Sequence, residues 1–397
     1  MAWVLSAKEL QARQGRARDV LGHRGLAGLC LFGPTHIYYL TGFAFIQTER
    51  PIGLAFPRNG RSILFVPRLE EEHAHEHARV DEVEAYAEYP GRIHPLRRFA
   101  EICGGLGLAS GGLGVDSDGY GGGYGYQGPK LSEVLRDATI TPVRPMLEEM
   151  IMIKSPEEVA FIRESAKWGN LAHTLLQQYT RPGLNESEVS PRASFEATQA
   201  MVRTLGPTYR PLSWTRSGAH AGYRGQIGRD SAIPHSLTTN AVFHAGDVLV
   251  TGAGASIGGY GSELERTMII GKPDDRQKRY FQLMLGAQET AFEAIRPGAL
   301  CRDVDQAVMQ YFESHDLMAH WRHHTGHALG MGIHEAPFFD VGDPTPIQPG
   351  MVFSVEPGVY VPGYAGFRHS DTVLVTEEGI EFLTYYPRDL EALTIAA

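Results

Sequence analysis

The sequence predicts a mixed helix-and-sheet protein in two parts: a smaller α/β domain over residues 1–150 and a larger α+β domain over residues 151–397. Three observations carry this reading. Helix and strand patterns alternate through the first part. A strongly marked helix start stands at Ser155, just past the boundary. Beyond it, long helical periodicities alternate with short apolar runs of strand length. A chain of 397 residues is also long enough for two domains.

In chain order, residues 8–24 read as a helix, and Leu26–Phe32 as a buried strand that runs into the Gly33-Pro34 turn and the apolar run IYYLTGF. Pro51–Phe56 and Ser62–Pro67 read as strands joined by Arg58-Asn59-Gly60, because Asn-Gly is a strong hairpin signal. Residues 69–79, charged and rich in His, read as a solvated helix. Gly104–Gly128 is a glycine-rich stretch that holds the strand LGVDS and a Gly/Tyr loop. It is no phosphate loop: no Gly-Lys-Ser/Thr follows, and no helix is expected to open after it. At Ser155 the side chain can cap, Pro156 suits the first turn, and Glu158 completes a capping box. Further helices are expected over Glu186–Leu205, Asp274–Ile295 and Asp303–His315. Strands are expected over Val248–Thr251, Thr267–Ile270, Met351–Val355 and Thr372–Val375.

Composition narrows the function classes. Lys plus Arg is 36 and Asp plus Glu is 46, a net charge of −10 with no basic run, which argues against nucleic-acid binding. Cys30, Cys103 and Cys301 are too few and too scattered for a disulfide framework or a zinc cluster. The N-terminus lacks the apolar centre of a signal peptide, and no apolar run reaches membrane-spanning length. A cytoplasmic location with free thiols is therefore expected, and no membrane partner.

Chemistry-bearing residues gather in four segments of the second part. His235 follows a proline and precedes Asp247, which opens a strand. Glu263 and Glu265 stand two apart in GYGSELERT, so in a strand both carboxylates share a face. His327 and His334 lie in HHTGHALGMGIHEAP, and Glu356 closes a strand before Pro-Gly, ahead of His369. Each alone has an ordinary reading as a core or surface residue. Their order within one domain is what carries information.

That order resembles the pita-bread superfamily of methionine aminopeptidase, aminopeptidase P, prolidase and creatinase, over nearly the whole chain. IYYLTGF is similar to the N-domain motif of the latter three, Ile153-Lys154-Ser155-Pro156-Glu157-Glu158 to their interdomain start, and GHALGMGIHEAP…PGMVFSVEPGVY to the catalytic core. The resemblance implies a pita-bread catalytic domain preceded by a creatinase-type N-terminal domain. It also implies a homodimer in which the partner's N-terminal domain completes the site.

The family's metallopeptidases hold two metals on Asp, Asp, His, Glu and Glu. Carried over, these positions are Gly252, Glu263, His327, Glu356 and Ser370. Two ligands are thus missing, and both are carboxylates of the second metal; a dinuclear centre needs such anionic oxygens to offset its charge. No resident cofactor is therefore expected, although Glu263, His327 and Glu356 could still hold a single divalent ion such as Mn, Zn, Co or Fe. The Leu-Glu-Arg-Thr run instead resembles creatinase, which works without metal. By that resemblance Glu265 and Glu356 bind a substrate guanidinium and His235 is catalytic. Arg50, eight residues after Gly42, binds a substrate carboxylate, in trans if the dimer forms. Substrate-facing roles are also assigned to His327 and His334, and Phe338, Tyr360 and Trp214 are expected to set the size of the pocket. Paired carboxylates suit a delocalised cation, and a histidine can take a proton from water near neutral pH.

Three functions follow as alternatives. The first is a creatinase-like hydrolase of a C–N bond in a small zwitterionic guanidino, amidino or amide substrate, working without a metal pair. The second is an Xaa-Pro dipeptidase or aminopeptidase P-type metallopeptidase, favoured by HEAP and Thr325-Gly326-His327. The third is a binding protein that kept the fold and lost catalysis.

Overall fold

The computed structural model describes residues 3–121, 125–212 and 217–397. Trp214 and residues 122–124 of the glycine-rich stretch lie outside them. The chain divides into two compact units, Val4–Ile151 and, together with Trp3, Met152–Ala397.

The Val4–Ile151 unit is built on a six-stranded sheet in the order Glu82–Tyr86, Ile63–Pro67, Gly53–Pro57, Gly28–Leu31, Gly111–Val115, Ala138–Pro142. The Asn59-Gly60 turn does join an antiparallel pair, with Gly53 opposite Phe65. Helices Ala7–His23 and Pro95–Gly105 accompany the sheet, and Cys30, Phe65, Phe99 and Cys103 belong to its core. The run after Gly33-Pro34 is not extended. It forms the helix Pro34–Thr41, because Pro34 fits a first helical turn and Gly42, at φ 71°, closes the last. The helix expected over 69–79 is shorter, Glu71–His77, since Arg68–Glu70 winds as a 3₁₀ turn. A four-residue helix, Leu131–Val134, opens after the glycine-rich stretch, where none was expected. All three cysteines are free and buried.

In the second unit the capping box at Ser155 forms as expected: Glu158 N donates to Ser155 Oγ, and Ser155 N donates to Glu158 Oε2 at 2.8 Å. The helix it starts, Pro156–Tyr179, packs with Glu186–Leu205 across the main sheet. That sheet runs Glu335–Phe339, Gly326–Ala328, Val352–Val355, Ser370–Val375, Leu264–Glu265, Gly252–Ala255, Ala219–Gly222, with Ile380–Phe382 paired to Ser370–Val375. The Gly252–Ala255 strand was not expected; its sequence, Gly-Ala-Gly-Ala, has none of the β-branched residues that mark strands. Its small residues allow a close helix approach. A Cβ on Gly169 of Pro156–Tyr179 would lie 2.8 Å from Gly254 Cα, whereas a Cβ on Gly252 would meet only Glu265 Oε1, at 3.6 Å.

One buried guanidinium ties the sheet together. Arg266 is fully buried and all five of its N–H groups are used. Nε donates to Pro387 O at 2.9 Å, and Nη1 donates to Glu265 O at 2.7 Å and Ser370 O at 3.0 Å. Nη2 donates to Asp371 Oδ1 and to Tyr386 O, each at 2.8 Å. Behind it His173, also fully buried, has Nε2 2.8 Å from Thr251 Oγ1. Burial, with the Arg266 charge beside it, pushes the pKa of His173 down to about 3.

Four outcomes are expected. Gly169→Ala loses about 1–3 kcal/mol in urea unfolding, despite the ~1 kcal/mol that alanine gains in a free helix, because backbone cannot yield. Gly252→Ala changes stability by less than about 0.5 kcal/mol. Asp371→Asn costs about 3–5 kcal/mol by leaving the Arg266 charge uncompensated. The buried His173 sets a pH dependence. Its pKa is depressed in the folded state, so its contribution is intact above pH ~6.5 and is lost as pH falls from there toward about 3. The slope is up to ~1.4 kcal/mol per pH unit, and in His173→Leu denaturant midpoints measured between pH 7 and 5 fall less steeply.

Candidate active site

Four strands and one connection bring the site residues together. His327 lies on Gly326–Ala328, between Val352–Val355 and Glu335–Phe339, so its ring is fully buried. Glu356 follows Val352–Val355 directly, and Thr325 O accepts its backbone N–H at 2.9 Å. Glu263 precedes Leu264–Glu265 and is fixed at the backbone by Thr372, whose Oγ1 accepts from Glu263 N at 2.9 Å.

These three side chains converge. His327 Nε2 lies 3.0 Å from Glu356 Oε1 and 4.0 Å from Glu263 Oε2, and one ligand atom from each residue falls within 4.8 Å of the others. Among the described residues this is the only group of three or more such donors close enough to hold a metal ion. Burial and the neighbouring Glu356 and Glu265 charges push the pKa of Glu263 up to about 8. Burial also opposes ionisation of Glu356, yet contact with His327 and Arg368 holds its carboxyl well below the usual carboxylate range. For His327, burial works against the proton, but the two carboxylates outweigh it and raise the pKa to about 9. Burial and charge in the cluster thus favour a proton on His327 and on Glu263 and disfavour one on Glu356.

The donor set fits one divalent ion, and the expectation of no cofactor has no support in it. It does not fit a pair. Gly252 offers no donor, and the Ser370 hydroxyl is engaged with Ser354 Oγ at 2.6 Å, which in turn donates to Glu263 Oε1 at 3.3 Å.

The remaining expected residues are placed differently from one another. His334 is exposed at its outer edge but stacks on His327, with ring centroids 3.7 Å apart and planes at 17°. Burial of the stacked face and the His327 charge lower its pKa to about 4. His235 is exposed in a turn after the 3₁₀ segment Gly228–Ala232, close enough to His334 to disfavour a proton there. Arg50 belongs to the Val4–Ile151 unit, where Nη1 donates to Glu49 Oε1 at 2.6 Å and Nε to Glu88 Oε1 at 3.0 Å.

Glu265 is already paired within the chain. It was expected, with Glu356, to meet a substrate guanidinium; the guanidinium between them belongs to the chain itself. Arg368 Nη2 donates to Glu265 Oε1 at 2.6 Å, its Nε contacts Glu265 Oε2, and the same Nε lies 3.7 Å from Glu356 Oε2. Arg224 adds a second donor to Glu265 Oε1, at 3.1 Å. Arg368 had been given no role from the sequence. Tyr360, expected only to set pocket size, accepts from Arg368 Nη1 at 3.0 Å and sits 2.9 Å from His323 Nε2. The available signal was spacing: Arg368 directly faces Gly358 in the Gly358–Val361/Ala365–Arg368 hairpin that follows Glu356.

Comparison with known proteins follows the same lines. Residues 160–377 match the model of metallopeptidase family M24, and residues 13–153 that of the creatinase/prolidase N-terminal domain. The chain is 29% identical to the probable dipeptidase PepE of Mycobacterium tuberculosis over 94% of this chain and 93% of that one. It is 27% identical to the Xaa-Pro dipeptidase of Pyrococcus horikoshii, over 89% and 92%. The solved Xaa-Pro dipeptidase of Bacillus anthracis superposes with a TM-score of 0.80 at 25% identity, covering 98% of this chain and 100% of that one. The fold is therefore the pita-bread architecture with a creatinase-type N-terminal domain, and the chain belongs to metallopeptidase family M24.

Proposed function

We propose that the protein hydrolyses the C–N bond of Xaa-Pro dipeptides or similarly small zwitterionic amides, with one divalent ion on Glu263, His327 and Glu356. The observation that supports this most directly is the convergence of those three donors within 4.8 Å. Full-length similarity to Xaa-Pro dipeptidases supports the substrate class.

A bound divalent ion supplies Lewis-acid polarisation of the scissile carbonyl. The chain's own residues supply the rest. Glu263, the most water-accessible of the three ligands, is the carboxylate positioned to exchange a proton with water or a leaving amine. His334 is neutral near pH 7 and stacked at the outer edge of His327, so it presents an imidazole nitrogen toward an incoming substrate without adding charge. His235, beside it and exposed, can carry a proton to or from solvent.

The second reading, metal-independent hydrolysis of a guanidino or amidino substrate, is favoured by the absent carboxylates at Gly252 and Ser370. In that reading Glu263 and Glu356 hold the substrate cation and His235 or His334 moves the proton.

One assay separates the two. Amine release is followed on Xaa-Pro dipeptides, guanidino acids and cyclic amidines, with and without EDTA, alongside elemental analysis of the purified protein. The expected result is turnover of Xaa-Pro dipeptides that EDTA abolishes and that Glu263→Gln lowers by about 100-fold or more. Turnover confined to guanidino or amidino compounds and indifferent to EDTA selects the second reading. Silence on all substrates rejects both.

A further inference from the structure

The family's metal pair would meet four carboxylates and one imidazole, and this chain lacks two of the carboxylates, at Gly252 and Ser370. The loss leaves a question of charge. Glu263, Glu265 and Glu356 are three acids in one buried neighbourhood, and Glu265 is only 3% exposed. Carboxylates do not persist in such a place without cations.

The structure supplies one from within. Arg368 is 3% exposed, and its guanidinium is bracketed by the two glutamates. Tyr360 fixes its third edge, accepting from Nη1 at 3.0 Å, and the Gln226 amide oxygen lies 3.5 Å from Nη2. Arg224 shares the charge of Glu265. A Cβ at Gly252 would meet Glu265 Oε1 at 3.6 Å, so the Glu265–Arg368 pair lies directly beside the place of the missing aspartate. At the other missing ligand, Ser370 and Ser354 form a neutral hydroxyl pair.

We propose that the Arg368 guanidinium, held by Glu265, takes the place of a second metal ion, so that the site is built for a single exchangeable cation at Glu263, His327 and Glu356. Arg368 acts as a positioning residue: it neutralises Glu265 and one oxygen of Glu356, and it leaves Glu263 and the other oxygen of Glu356 to face His327. The proposal extends the single-ion reading given above but does not share its fate, because it concerns which cation already fills the neighbouring position.

The test is a Mn²⁺ titration of metal-stripped wild type and Arg368→Gln, with free Mn²⁺ read by electron paramagnetic resonance and bound metal counted by elemental analysis. Wild type is expected to take no more than one Mn²⁺ per chain. Arg368→Gln is expected to take one more than wild type, or to bind Mn²⁺ about tenfold tighter or better, because a fixed positive charge a few ångströms away is gone. In Arg368→Ala, millimolar methylguanidinium is expected to fill the vacated place and return the Mn²⁺ count to that of wild type. If Arg368→Ala folds only in the presence of methylguanidinium, that dependence supports the proposal too. Two Mn²⁺ per wild-type chain overturn it. So does an Arg368→Gln protein that binds Mn²⁺ as wild type does, or an Arg368→Ala protein that folds and is indifferent to methylguanidinium. Wild type that binds no Mn²⁺ sinks the single-ion reading, and the gain or absence of Mn²⁺ in Arg368→Gln then decides the proposal by itself.

Discussion

Everything at the site hangs from one guanidinium that never reaches it. Arg266 is buried with all five donors spoken for, four of its acceptors being backbone carbonyls and the fifth Asp371. Two of those carbonyls, Glu265 O and Ser370 O, lie on facing strands in register, so the charge that Arg266 brings into the core sets the spacing between them. Glu265, whose side chain alternates to the other face of its strand from that of Arg266, meets the Arg368 guanidinium. Loss of the Arg266 anchor would leave a buried charge with one ionic partner and several orphaned carbonyls, and the register that aims Glu265 toward Arg368 would have no lock.

Arg266 lies three residues after Glu263 and Arg368 twelve residues after Glu356, and the two divide electrostatic labour. Arg266 is matched mainly to neutral carbonyls and therefore contributes shape. Arg368 is matched to carboxylates and therefore contributes charge balance. A lysine could replace neither, since a point charge with three donors cannot span two strands or bridge two glutamates through a planar fork. The balance that results is uneven by design of the residues present: Glu265 has two guanidinium partners, Glu356 has an imidazolium and the edge of one guanidinium, and Glu263 has only the more distant His327 and a serine hydroxyl. The unmatched member is also the one with access to water, and that is where chemistry can begin.

Much of this was legible in the sequence, and the reasons for what was not are physical. The helix Glu186–Leu205 has the expected bounds, and the capping box at Ser155 forms because its signals are local and lie within four residues. The substitutions at Gly252 and Ser370 are visible as soon as motifs are aligned by position. The Pro34–Thr41 helix was missed because Gly-Pro reads equally as a turn and as a helix entrance, and only Gly42 at the far end separates the two. The Gly252–Ala255 strand was missed because it is specified by what packs on it, through Gly169, and not by β-propensity. Arg368 was missed for a different reason. A motif read for absent ligands directs attention to the empty position, Ser370, and away from the cation two residues earlier, whose partner Glu265 is 103 residues distant in sequence. Charge pairing over that separation leaves no periodicity to find.

Gly252 also has a meaning for how this chain could change. Every glycine codon becomes an aspartate or glutamate codon by a change of its middle base, so an acid at position 252 is always a single nucleotide away. A Cβ there meets nothing closer than Glu265 Oε1, at 3.6 Å, which is ordinary contact. What stands there is the Glu265 carboxylate, so the barrier to recovering the lost ligand is repulsion between like charges. A lineage carrying Glu265 and Arg368 is thereby held away from its two-metal relatives by electrostatics, and the way back runs through Glu265 before it runs through Gly252.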